Sequence, residues 1–326
     1  MFFLRYKADL RMLMFEAVFI GLVYHRWNYV DSSWLTSTLL FIATMQFCFF
    51  QAVATHNCVH VPPFSVPALN RWWNVVLSCT IGHPVSTFIP GHNYSHHKYM
   101  ETRKDIMRTC QMKYKWNFLN LVLFAPTING QTMRNDFNYF KAQRAKGRPI
   151  YNQLLLEFTV TYAMLAYFVY TDPLRFVHVL WIPQLWAKYC LITLNMLQHD
   201  GCDPDSKANF ARNFVGPLLN YFCYDNGFHT QHHMYAGWHW SILPEKHAKI
   251  VHPHIHPNLE QESILGYMFR AYVYPGKRTW YDGSDYKWAP DSDQPNIDWA
   301  YDQAETHGNI GGLGEKVGEK VVDVAH

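Results

Sequence analysis

Charge is what this chain of 326 residues has least of: Lys, Arg, Asp and Glu together make up 16%, against 49% hydrophobic residues and 17% aromatics. The net charge is only +3, and no basic stripe with interleaved aromatics appears. Both absences exclude nucleic acid as a partner. The seven cysteines (Cys48, Cys58, Cys79, Cys110, Cys190, Cys202 and Cys223) form no C-x-x-C pair. Several lie in apolar stretches, so they read as reduced, small hydrophobes. No cleavable leader is expected: Lys7, Arg11 and Glu16 interrupt the first apolar run, and no small-residue cleavage site follows it. There is no internal repeat and no extended low-complexity run.

What is present is concentrated apolar sequence. The mean hydropathy is just −0.19, so the apolar residues must be gathered rather than spread. Residues Leu35 to Thr55 run without a charge for a length that can cross a bilayer. Met12 to Tyr24 precedes them, broken by Glu16. Leu154 to Tyr170 and Leu174 to Leu197 form a second pair around a turn at Asp172 and Pro173. The expected fold is all-α and polytopic, with four membrane helices in two hairpins; a rival reading gives six spans. Trp72 to Pro90 and Phe118 to Ile128 are expected to lie along the interface, since Gly82, His83 and Pro84 make a poor spanning interior. Twelve Lys and Arg residues fall between His60 and Ile150, whereas the short loops near Arg26 and Arg175 carry about one each. By the positive-inside rule the middle segment and both termini are cytoplasmic. Eleven of those cations lie in Lys98 to Arg148, against three acids. That is ordinary loop charge beside anionic lipid, or a surface for an acidic head group or redox partner. Residues 1–276 are expected to form one domain. From 277 to 326 the chain turns acidic, with ten acids against three lysines in Asp282 to Asp323, and a poorly ordered tail is expected.

Histidine is over-supplied at four places. THNCVH carries His56 and His60. GHNYSHHKY carries His92, His96 and His97. HTQHH carries His229, His232 and His233, and NMLQHD sets Asn195 four residues before His199. Spacings of three and four place side chains on one face of a helix, so two imidazoles can grip one metal. The adjacent third histidine points about 100° away and can reach a second metal. Position agrees with spacing, because His56 and His199 directly follow the second and fourth expected spans. Nine imidazoles divide naturally between two metals. Asp200 and Asp225 are candidates to orient them, as carboxylates often do from behind a ligand. His239 and His247 are assigned no ligand role.

Other metal patterns are missing. H-E-x-x-H does not occur, and neither does the E-x-x-H pair of soluble di-iron bundles. Imidazole suits zinc, copper, iron and nickel alike, so donor chemistry leaves dizinc open. Two further classes therefore stand beside an enzyme: a metal-binding membrane transporter and a scaffold with a structural dizinc site. Transporters place their ligands near the bilayer midplane, whereas these histidines sit beyond the span ends.

The boxes HNCVH, HNYSHH and HTQHH, with Asn195 and His199, resemble the membrane fatty acid desaturase and hydroxylase superfamily over roughly residues 10 to 270. The resemblance implies that His56, His60, His92, His96, His97, His199, His229, His232 and His233 bind two irons, with Asn195 near the metal through water. It implies O2 as co-substrate, a fatty acid or acyl-lipid chain as substrate, and oxidation of an unactivated C–H bond, for which side chains have no acid, base or leaving group to exploit. There is no H-P-G-G haem motif, so electrons would come from a separate donor of ferredoxin or cytochrome b5 type. Asn57 stands where several relatives carry a box-one glutamate, and the segment after HTQHH differs from the usual pattern. Desaturation is the first expectation; oxidative decarboxylation to a terminal alkene, hydroxylation and ketolation stay open.

Overall fold

The computed structural model describes residues 3–29, 33–289 and 291–297. The expected tail beyond residue 297 lies outside the described residues. The chain divides into two compact units, one of residues 3–88 and 143–191, the other of residues 89–142 and 192–297.

The first unit is a helical layer. Helix α1 (Leu10–Asn28) packs on α2 (Trp34–Cys58), which packs on α3 (Pro67–Ile81). Helix α2 starts where the Ser33 hydroxyl accepts the Thr36 N–H at 3.1 Å, satisfying one of the donors a helix N-terminus leaves open. Helix α3 stops at Gly82, whose φ of 75° is the left-handed conformation that suits glycine. Two of the buried polar contacts tie helices together: Gln51 Nε2 donates to the Met12 carbonyl at 2.9 Å, and the Glu157 carboxylate accepts from the Ser86 N–H at 2.8 Å. Among the described residues two helices, α2 with 25 residues and α6 (Pro149–Thr171) with 23, are long and apolar enough to cross a membrane; α4 and most of α5 fall in the second unit. Leu174 to Leu197, the last expected span, is helical throughout. It runs as α7 (Pro173–Phe176), a π-helical turn at Val177–Trp181, and α8 (Ile182–His199). The Asp172 carboxylate caps α7 through the Arg175 N–H at 2.9 Å.

The second unit is built from short pieces. A π-helical segment, Ile89–His96, leads into α4 (His97–Tyr99), and after a loop into α5 (Asn117–Ala145). Strand β1 (Asn213–Phe214) pairs in parallel with β2 (Glu260–Gln261), in the register Asn213 to Glu260 and Phe214 to Gln261. Helix α9 (Pro217–Phe222) follows β1, then α10 (His229–Met234), α11 (Leu243–Ile250) and α12 (Ile264–Met268). Cys202, Phe210, Ala211, Met234, Val251, Ile255 and Leu259 form a buried apolar cluster that backs α10. None of the seven cysteines is bridged, as the absence of paired motifs led us to expect.

Residues 277–289, the start of the expected tail, are tied to this unit. Arg278 is buried and grips the Asp200 carboxylate with Nε at 2.8 Å and Nη2 at 2.5 Å, and the Tyr272 hydroxyl donates to the same carboxylate. Asp200 was a candidate to orient a histidine; its oxygens are instead taken up by Arg278 and Tyr272. Asp225 sits in the turn before α10 with φ 54°.

Candidate metal centre

Seven of the nine histidines belong to the second unit, and they sort into two groups. His96, His199, His229 and His233 form the first, with ligand nitrogens all within 4.8 Å of one another. His199 Nε2 lies 3.2 Å from His96 Nε2, 2.9 Å from His229 Nε2 and 3.2 Å from His233 Nε2. His229 and His233 are themselves 3.1 Å apart. The second group joins His97 Nε2 to His92 Nε2 at 3.0 Å and to His232 Nε2 at 3.2 Å. His56 and His60, at the end of α2 in the first unit, lie with ring centroids 5.4 Å apart.

The sorting has a local cause. In α10, His229 and His233 are four residues apart, so a normal helical turn brings their Nε2 atoms together, while His232 points to the other group. In the second box the pair whose Nε2 atoms meet is His92 and His97, five residues apart, because Ile89–His96 winds as a π-helix with its longer i to i+5 repeat. Sequence spacing alone pairs His92 with His96. The structure corrects this: His96 goes to the four-histidine group and His92 to the other.

The donor set fits a metal. A neutral imidazole Nε2 can donate to one partner or accept from one, yet His199 Nε2 faces three others. Hydrogen bonds cannot satisfy four mutually facing nitrogens, and a cation at their centre does. The far sides of two rings confirm the tautomer. His96 Nδ1 donates to Asp105 Oδ2 at 3.0 Å and His199 Nδ1 to the Phe210 carbonyl at 3.3 Å, which leaves each Nε2 lone pair facing the group. Burial, reinforced by His97, His229, His199 and His96, holds the His233 imidazole well below its usual pKa. That keeps it in the neutral form that ligates. Asn195 stands one turn before His199, 8% exposed, with an Nδ2 that has no partner. Such a buried donor suits a water on a nearby metal.

Several supporting residues carried no signal in the sequence. Asp105, fully buried, accepts from His96 with Oδ2, from the Glu101 N–H at 2.9 Å and, through Oδ1, from the Met107 N–H at 2.8 Å. It therefore holds His96 in one orientation. Asn213 holds the start of α10: its carboxamide accepts the Thr230 N–H and donates to the Thr230 hydroxyl, each at 2.9 Å. Gly227 lets β1 approach, since a Cβ there would meet the Phe214 carbonyl oxygen at 2.1 Å. His239 and His247 stay outside both groups. His239 Nδ1 caps a short turn by accepting the Ser241 N–H at 3.3 Å, and His247 Nε2 contacts Glu260 at 2.6 Å.

The sequence model of the fatty acid desaturase family matches residues 32–259, a stretch that contains all ten of the site residues. The chain finds no match among curated proteins or among solved structures.

Proposed function

The chain belongs to the fatty acid desaturase family, which implies an oxidoreductase, and from that premise we propose that it is an integral membrane di-iron enzyme that oxidises a fatty-acyl or related lipid chain with O2. The observation that carries this reading is the division of the histidines into two converging groups of nitrogens. The first iron takes His96, His199, His229 and His233. The second takes His92, His97 and His232, and His56 and His60 complete the nine histidines that the resemblance assigns to the two irons. Bound there, two irons supply the O2 activation that an unactivated C–H bond requires.

The chain's own residues do the positioning. Asp105 and the Phe210 carbonyl fix the tautomer and ring plane of His96 and His199. Asn195 offers its carboxamide to a water beside the metal. Burial of His96 and His199 excludes bulk solvent from their side of the site. We place four membrane helices at α1, α2, α6 and the run from α7 to α8, with the histidines and both termini on the cytoplasmic side, following the loop charge. A separate donor of ferredoxin or cytochrome b5 type supplies electrons.

Desaturation is the reaction we propose, and alkene-forming decarboxylation, hydroxylation and ketolation are the outcomes to be told apart from it. The test is to purify the full chain, count its iron, and supply labelled fatty acids with a reducing system. Mass spectrometry then separates unsaturated acid, terminal alkene and alcohol. His232→Ala should lose turnover and about one iron while keeping the helical fold; full activity in that variant refutes the ligand assignment. Iron-free, folded protein that carries metal ions across vesicles would instead support a transporter.

A further inference from the structure

A cleft of about 280 Å3 lies in the second unit, and neither a histidine of the two groups nor an acidic residue lines it. Its walls carry three cations, Arg212, Arg270 and Lys277, with the amides of Asn258 and Gln261 and the indole of Trp280.

The charge of Arg212 is the anomaly. The residue is 3% exposed, and a buried guanidinium without a counter-ion is costly. Its Nη1 donates to two neutral carbonyls, Leu197 at 2.7 Å and Asp200 at 2.8 Å, its Cζ sits 4.0 Å over the Tyr267 ring, and its Nε has no partner. The buried carboxylate nearby, Asp200, is already occupied by Arg278 and Tyr272. Arg270 is bonded to a neutral amide, Gln261 Oε1, at 2.9 Å. Lys277 pairs with Asp285, a solvent-exposed pair at 3.3 Å that contributes little.

We propose that this cleft binds a phosphate monoester, held by Arg212, Arg270 and Lys277 with Asn258 and Gln261 as neutral donors. Three cations lining one cleft suit a dianion with three free oxygens better than a single carboxylate, and guanidinium forks match phosphate geometry. The same chemistry is offered by a soluble nucleotide phosphate and by the head group of a phosphatidic acid.

Binding is measured on the purified full chain in detergent, by calorimetry and by melting temperature, with inorganic phosphate against chloride at equal ionic strength. Phosphate should bind saturably and raise the melting temperature. The variant R270Q/K277Q changes two exposed side chains, so folding is retained, and should weaken binding by about tenfold or more. Adenosine 3′,5′-bisphosphate and nanodiscs of phosphatidic acid, set against phosphatidylcholine nanodiscs, then separate the soluble from the lipid source by which binds more tightly than inorganic phosphate. Phosphate that acts no differently from chloride, or that binds the variant as well as the native chain, overturns the proposal. Neither readout involves iron or turnover, so this result stands or falls separately from the oxidase reading.

Discussion

At the scale of single residues, Asp105 separates a histidine that merely lies near a metal from one aimed at it. Its carboxylate accepts from His96 Nδ1 at 3.0 Å while two backbone N–H groups hold it in place. Asp105→Asn should therefore lower iron affinity by about 10- to 100-fold, measured as iron retained per chain against a graded chelator, with little change in helix content. Glu101 gives a pH-dependent test. Loss of water, and secondarily the nearby Asp105, pushes its carboxyl up to about 8, against the accepted bonds from Thr109. Between the ordinary carboxyl value of 4.5 and about 8, the folded chain keeps a proton that the unfolded chain has released. Stability then falls as pH rises through that window. Glu101→Gln should flatten this slope in a series of melting temperatures from pH 4.5 to 8.

At the scale of elements, the π-helical segment does for the second box what an ordinary turn does for the third. His92 and His97 are five apart and His229 and His233 four apart, yet both pairs bring Nε2 atoms to 3.0 and 3.1 Å. Deleting Asn93 turns H-x3-HH into H-x2-HH and lets the π turn relax to an α turn. The variant should keep its iron stoichiometry while melting at a lower temperature, because Asn93, Tyr94 and Ser95 are buried and must repack. Loss of both irons in the refolded variant would show that the wider turn serves more than the spacing. The spans were easier to read than this turn. An apolar run without charge marked α2 directly, a run broken only by Glu157 marked α6, and Asp172 with Pro173 marked the turn between the second pair. A π turn has no such signature, since its residues are those of any helix and only the hydrogen-bond partner changes.

At the scale of the whole molecule, Arg278, past the expected domain boundary, reaches back to the residue beside His199. Arg278 and the neighbour of His199, Asp200, form a bidentate pair with side chains 5% and 1% exposed. Burial alone would raise the Asp200 carboxyl, but Arg278 and Tyr272 more than offset it, and its pKa lies below the usual value. Arg278→Met strands a buried carboxylate, which typically costs about 3–5 kcal/mol. The expected result is a clear fall in melting temperature, partly recovered in the double variant Asp200→Asn/Arg278→Met. Acidic composition marked this stretch as tail because composition averages over neighbours; one arginine among the acids is enough to anchor its first part.

By itself the sequence determined the helical class and the long apolar segments and nominated the ten candidate residues of the site, because apolar run length, helical repeat and residue chemistry are all local. Resemblance over the boxes pointed to the family in the same way. Tertiary structure alone decided which imidazole shares a group with which, that Asp105 rather than Asp200 orients one of them, and that a cationic cleft forms around Arg212. Each of these depends on contacts between residues far apart in the chain, His96 with His199 or Arg278 with Asp200, and on a helical register that side-chain spacing does not encode. A buried charge or an imidazole takes whichever partner the fold brings within about 3 Å, and that choice is made only when the segments pack.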